Sequence, residues 1–398
     1  MGRLSKRVKE INESATLAVT EKAALLKAAG VDVVSLSAGE PDFSTPSHII
    51  QAAVEAMNLG YTRYTAGAGI ISLREVVAEK YKRENSVLYD PGQILISTGA
   101  KQSLFNVLHA ILDPDDECLI PTPAWVSYPE MVKTTGGKPV FVPTLESSGF
   151  RMTPDQLKGA ITPRTKALIL CTPSNPTGAV YSEKEVRSLA EVLAGTGIHV
   201  ISDEVYEKMI YGAGRHVSIS TVSDEMREKV IVVNSCSKTY AMTGWRIGFM
   251  AGPKDVIKAA AKIQTQSTSN ANTIAQHAAI AAISGDQSCV HKMVLEYGKR
   301  REYVLSRIAS IPGISCIEPE GAFYVFPNIS GLFGRAYQGE KISSPATLSR
   351  LLLESVHLSV VQGDPFGSLE HIRISYATSM DRLEEGLNRL DGFVQDLK

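Results

Sequence analysis

The sequence predicts an α/β protein: a mainly parallel sheet covered by helices, with a smaller α+β unit beside it. Three observations carry this. Short runs rich in Ile, Val and Leu lack strict alternation, as strands buried on both faces do. These runs alternate with helical patterns, the mark of a parallel sheet. After about residue 254 that alternation gives way to long helical patterns and then short strands. At 398 residues the chain also exceeds one ordinary core, so a large domain plus a smaller one is expected.

The elements read in order. "EKAALLKAAG" is a helix closed by Gly30 at its C′ position, and it is expected to pack with the smaller unit. "QILIST" (93–98) is a strand before the helical "KQSLFNVLHAILD" (101–113). "ECLIP" precedes the helical "WVSYPEMVKTT", and "KPVFVP" follows as a strand. "KALILC" (166–171) precedes "SEKEVRSLAEVLAG", whose Ser182 and Glu185 form a capping box. "HVISD" (199–203), "KVIVVNS" (229–235) and "WRIGFMAG" are further strand candidates. "DVIKAAAKIQTQ", "NTIAQHAAIAAIS" and "QSCVHKMVLEYGKRREYVLSRIASI" are helical, and Pro312–Gly313 stops the last. The tail offers "GAFYVFP", "ATLSRLLLESV", "LSVVQG", "HIRISYA" and a final helix from about Met380. The expected division is an arm and helix in 1–45, a large domain in 46–290 and a small domain in 291–398.

Composition excludes several classes. A net charge of -1 points to neither a nucleic-acid nor a membrane partner. No apolar stretch is long enough to span a bilayer. "MGRLSKRVKEINES" lacks a secretory apolar core and misses the myristoylation pattern, so it reads as a cytoplasmic start. Five scattered cysteines without C-x-x-C fit a reducing compartment. Eight histidines show no ligand spacing, so no metal is expected. "TAGAGI" lacks the third glycine of a dinucleotide fingerprint and reads as a turn.

Ligands of parallel sheets bind at the carboxyl ends of the strands. There the runs are followed by Gly99-Ala100-Lys101, by Asn175, by Asp203 and Tyr206, and by Ser235, Ser237, Lys238 and Arg246. A turn of small residues opening a helix directs free N–H groups at an anion. Arg246 can fork onto a phosphate, with Ser235 and Ser237 adding hydroxyls. Lys238 has no neighbouring acid in sequence, so burial beside cations would favour its neutral amine and a Schiff base. A phosphate plus an aldehyde captured by lysine means pyridoxal 5′-phosphate (PLP). Asp203 could hold the proton on its pyridine nitrogen. Tyr206 and Asn175 could bond the ring's phenolic oxygen, and Trp125 offers a flat face. Plainer readings exist: Asp203 as a helix cap, Asn175 as a turn residue, Trp125 as core, and Arg373 paired with a surface acid.

"SAGEPDF", "CTPSNPTGAV", "ISDEVYE" and "SCSKTYAMTGWRIGF", in this order, resemble the class I and II aminotransferases of PLP fold type I. The resemblance runs nearly end to end. "ESATLAV" and "TGAKQSLFNVLHAILDP" are most similar to the bacterial-type aspartate aminotransferases. It implies a seven-stranded sheet in the large domain, and Lys238 as the residue that carries the cofactor. Asn175, Asp203 and Tyr206 would hold the ring. Arg373, with the Gly39 backbone, would bind the substrate α-carboxylate. Ser14, Thr16 and Lys101 would contact the distal carboxylate of a dicarboxylic substrate. Tyr64 in "YTRYTAGAG" would reach the phosphate of a neighbouring subunit, which implies a homodimer with shared sites. The activity implied is ping-pong transfer of the amino group of aspartate, or another acidic amino acid, to 2-oxoglutarate. Alternatives are prephenate or aromatic amino acid transamination, and β-elimination on the same fold.

Overall fold

The structure is a computed structural model that describes residues 4–398. Residues 1–3, the first part of the "MGRLSK" stretch read for myristoylation, lie outside the described residues. The large sheet has seven strands: β1 (Ile94–Ser97), β2 (Glu117–Thr122), β3 (Lys138–Pro143), β4 (Thr165–Cys171), β5 (His199–Asp203), β6 (Val230–Ser235) and β7 (Gly248–Ala251). Their spatial order is β1-β7-β6-β5-β4-β2-β3.

The unalternating apolar runs are buried on both faces. In β4, Leu168 and Leu170 join one core, while Ala167 and Ile169 join the other. The first core is covered by helices Ile71–Asn85, Glu183–Leu193 and Thr273–Ser284. The second is covered by Ala100–Ile111, Ser127–Thr135 and Lys254–Ser267. Ser182 caps its helix with Glu185 in the expected box.

The sheet is mainly parallel, as expected, and two of its strands differ from the rest. β7 runs antiparallel to both β1 and β6. β3 pairs on one side only, with β2, and leaves Phe141 exposed. Its prolines, Pro139 and Pro143, are tolerated because an edge strand has free backbone positions.

A second assembly has its own core around Tyr297, Phe323, Ile372, Ile374 and Leu387. It contains the three-stranded antiparallel sheet of β8 (Tyr324–Val325), β9 (Val361–Gln362) and β10 (Ile372–Ser375), in the order β9-β10-β8. Helices Pro345–Val356 and Met380–Gln395 cover it. Helix Ser288–Ala309 supplies residues to both this core and the first one, so a division at residue 290 falls inside it. The amino-terminal helix Ala15–Ala28 ends with Gly30 at φ +86. It packs Ala23 on Val33 and Leu353, and Lys22 pairs with Glu354 at 2.8 Å. Among the described residues, no helix is long and apolar enough to cross a membrane.

Candidate active site

β1, β4, β5 and β6 are mutually parallel, so their carboxyl ends reach the same edge of the sheet. A cavity of about 440 Å³ opens there. At the end of β1 the chain turns through Gly99, at φ +83, into helix Ala100–Ile111. The first N–H groups of a helix have no carbonyl to bond. This helix has no side-chain cap and no acid in its first turn. Arg246 closes over the turn. A Cβ on Gly99 would stand 2.6 Å from Arg246 Nη2, and one on Gly248 would stand 2.4 Å from the Ala100 nitrogen. Gly248 therefore lets two backbone segments pack closely, and Gly99 leaves room for the Arg246 guanidinium. Arg246 itself is left-handed, at φ 54, a cost that a non-glycine residue bears only when its surroundings require it. Its Nη1 donates to the Thr243 carbonyl at 2.8 Å. Ser235 and Ser237 line the same side, and Ser235 Oγ accepts from the Ser237 N–H at 3.3 Å. This group of N–H, hydroxyl and guanidinium donors, with no acid in the helix's first turn, fits a phosphate.

Lys238 lies in the short helical turn Cys236–Thr239 that follows β6, and its amine donates to the Gly39 carbonyl. It has no ion-pair partner among the described residues, although Glu40 approaches from another segment. Burial pulls the Lys238 pKa down to about 8. Glu40 and Asp203 oppose that fall, while Arg373 and Arg246 deepen it. Glu40 is turned toward Thr243, whose hydroxyl donates to it at 2.7 Å.

Asp203 closes β5 and is 3% exposed. Its Oδ2 accepts from the Tyr128 hydroxyl at 2.7 Å. Burial pushes its carboxyl up to about 6, against the Tyr128 hydroxyl and the Val205 N–H, which favour the anion. Trp125 meets Tyr128 edge to face, with centroids 5.3 Å apart. Tyr206 bonds Tyr324 through their hydroxyls at 2.9 Å.

Arg373 stands on β10 and is fully buried. It donates to Asn175 Oδ1 and to the Ser37 carbonyl, both at 2.9 Å, and lies 4.4 Å from the Tyr324 ring centroid. Its Nε is buried without a hydrogen-bond partner. Burial lowers its pKa. Arg373 has no carboxylate partner among the described residues, so it can take an anion from outside. Lys101 holds its amine 4.8 Å from the Trp125 ring centroid, and burial, then Arg246, lower its pKa. Ser14 and Thr16 line the cavity nearby, their hydroxyls 3.0 Å apart.

The cavity thus gathers Ser14, Thr16, Gly39, Ala100, Lys101, Trp125, Asn175, Asp203, Tyr206, Ser235, Ser237, Lys238, Arg246 and Arg373, with Gly99 behind Arg246. Tyr64 is apart from it, with 91% of its surface exposed. Sequence reasoning missed Tyr128, Tyr324 and Glu40. Tyr128 had a faint signal, since it follows Trp125 by three residues and so shares its side of a helical turn. Tyr324 had none, because "GAFYVFP" reads as plain apolar strand.

The family model for aminotransferase class I and II matches residues 31–390. The chain belongs to the class I and II aminotransferases. It is 48% identical over 393 residues to an aspartate aminotransferase of Bacillus subtilis, covering 99% of each chain. It is 45% identical over 391 residues to an aspartate/prephenate aminotransferase of Nitrosomonas europaea, covering 98% of each. The crystal structure of an aspartate aminotransferase from Rhizobium meliloti matches with a TM-score of 0.97 at 41% identity over 100% of both chains. Aminotransferases of this family and fold are PLP-dependent, and this chain is one of them. The phosphate cradle, the uncoupled lysine and the buried acid suit that cofactor chemically.

Proposed function

We propose that this aminotransferase moves the amino group of aspartate to 2-oxoglutarate in two half-reactions. The observation that carries this reading is a pair of cations, Arg373 and Lys101, in the same cavity as Lys238. Neither has a carboxylate partner among the described residues. Two such cations suit a substrate with two carboxylates. PLP, when bound, supplies a ring that accepts the electrons released at the substrate Cα. Arg246, Ser235, Ser237 and the N–H groups opening helix Ala100–Ile111 would hold its phosphate. Asp203 would keep a proton on the pyridine nitrogen, Asn175 and Tyr206 would bond the phenolic oxygen, and Trp125 would offer the ring a flat face. Arg373 and the Gly39 backbone bind the α-carboxylate; Lys101, Ser14 and Thr16 bind the distal one. The Lys238 amine would act as the base that takes the Cα proton of the substrate. Closure of the smaller unit over the cavity excludes water.

A panel of amino donors and oxo acceptors tests this, with products quantified. Aspartate with 2-oxoglutarate should turn over fastest; release of ammonia without an amino-acid product would overturn transfer. Prephenate belongs in the panel as the second reading, because it too has two carboxylates and the Nitrosomonas relative carries it in its name. Lys101→Ala should lower kcat/KM for aspartate by about 10- to 100-fold, the size of a lost charge-assisted contact. Alanine and phenylalanine should lose little. Equal losses would remove Lys101 from substrate choice.

We also infer a homodimer, of the sort in which Tyr64 serves the neighbouring subunit. Helix Ser47–Asn58 leaves Ile50, Val54 and Met57 exposed, and Leu59, Tyr61 and Tyr64 in the segment that follows are exposed as well. The spacing i, i+4, i+7 puts the first three on one side of the helix. Such an exposed apolar stripe suits an association surface. Val54→Glu combined with Met57→Glu should convert the dimer to monomer in light scattering. A dimer unchanged by both charges would place the interface elsewhere.

A further inference from the structure

Behind the turn that carries Asp203 and Tyr206 lies a second group of charges that the reaction above does not use. The segment reads Asp203-Glu204-Val205-Tyr206-Glu207. Asp203 and Tyr206 line the cavity; Glu204 and Glu207 do not. Glu204 is fully buried. Its Oε1 accepts from Ser202 Oγ at 2.7 Å and from Ser218 Oγ at 2.6 Å. Its Oε2 lies 2.9 Å from His216 Nε2. Glu207 Oε1 lies 2.6 Å from the Lys80 amine, which also stands 3.2 Å from Glu84. Lys208 and Arg83 also pair with Glu84, at 2.8 Å and 2.7 Å.

Glu204, Glu207 and His216 each bring one atom within 4.8 Å of the others, a constellation that could suit a cation. The chain's own groups already serve the carboxylates: Lys80 stands at Glu207, and His216 and two serines fill Glu204. Burial disfavours a charge on His216, yet the Glu204 carboxylate outweighs it and raises the His216 pKa. Burial likewise opposes the Lys80 charge, and Glu207 and Glu84 outweigh it. The group is therefore an ionic network in which Glu204, Glu207 and Glu84 face His216, Lys80 and Lys208, with Arg83 at its outer edge.

Buried ion pairs are poor sources of net stability, but breaking one strands a charge in the interior, which disfavours rearrangement around it. This network ties one short turn to helix Ile71–Asn85 and to the 216–218 segment. The backbone adds two restraints: Glu204 N–H to the Val233 carbonyl at 2.9 Å, and Glu207 N–H to the Glu204 carbonyl at 3.0 Å. We propose that Glu204, Glu207, His216 and Lys80 are positioning residues for the cofactor ring. Their ion pairs pin the outer side of the 203–207 turn, so that Asp203 and Tyr206 present their polar atoms at fixed places in the cavity. This rests on the assignment of Asp203 and Tyr206 to the PLP ring.

The test uses holoenzyme variants Glu207→Gln and His216→Gln, with Asp203→Asn beside them. Both anchor variants should weaken PLP binding and lower kcat by about 10- to 100-fold, as losing a supporting partner does at other sites. KM for aspartate should stay within about twofold, since its carboxylates are gripped elsewhere. The pH midpoint of the visible absorbance of bound PLP should also move. If Asp203→Asn lowers kcat while both anchor variants keep wild-type PLP affinity, kcat and midpoint, the network only stabilises the fold and the proposal alone fails. If Asp203→Asn is silent, the ring assignment fails and the proposal goes with it. Should neither anchor variant fold, hydrogen exchange on wild-type holoenzyme decides. Amides of 203–209 must then be among the slowest to exchange; rates like those of surface loops overturn the proposal.

Discussion

Lys238→Ala is expected to lose at least about 10⁴-fold in kcat and all covalently held PLP. Two separate duties of the same amine converge on that figure. As a nucleophile it must be uncharged, and burial lowers its pKa to about 8. At pH 7 roughly a tenth of it is then neutral, against well under a thousandth of an ordinary lysine. As a base it must afterwards reach the substrate Cα, which its place in the cavity with Arg373 and Asp203 permits. Borohydride reduction followed by peptide mass analysis checks the first duty: the PLP mass should fall on the peptide containing Lys238. The rate at which PLP-free protein takes up added PLP covalently should rise about tenfold per pH unit and level off near pH 8. A variant that still fixes PLP on one lysine at wild-type stoichiometry would overturn the assignment.

The legibility of this site follows from where its residues fall along the chain. Strands buried on both faces announce themselves as runs such as "KALILC" and "KVIVVNS", and a parallel sheet directs ligands to whatever follows them. Asp203, Lys238 and Asn175 were readable for that reason: each lies within a few residues of the end of an apolar run. Strand direction was not readable. An apolar run carries no sign of its polarity, so β7 reversed unseen. Edge position was hidden in the same way, and "KPVFVP" hinted at it only through its prolines. Pairings across long separations were beyond reach too. Tyr128 meets Asp203 across 75 residues, and no local pattern predicts that a helical tyrosine will turn inward to an acid. Glu40 shows the converse. The gap in acids around Lys238 holds along the chain, yet folding brings a carboxylate near it, turned aside by Thr243.

Asp203→Asn should move activity and stability in opposite directions. The activity arm is direct: a neutral amide cannot hold a proton on the pyridine nitrogen by charge. Turnover should therefore fall by about 10²- to 10³-fold, the range for loss of one preorganised electrostatic partner. The stability arm comes from the same burial. Asp203 titrates near 6 in the folded chain, against 3.8 for an unperturbed aspartate. An acid with a raised folded pKa binds more protons folded than unfolded between those two values. Stability therefore falls as pH climbs through that window, and the deficit persists above it. At pH 7 the buried carboxylate costs PLP-free protein roughly 2–3 kcal/mol. Asparagine removes that cost and can still accept from Tyr128 through its carbonyl oxygen. PLP-free Asp203→Asn should accordingly resist urea better than wild type at pH 7, with the advantage vanishing as pH approaches 4. A variant less stable than wild type at pH 7 would mean that the carboxylate is already neutralised by its surroundings. The site would then have no stored electrostatic reason to prefer a cationic ring over a neutral one.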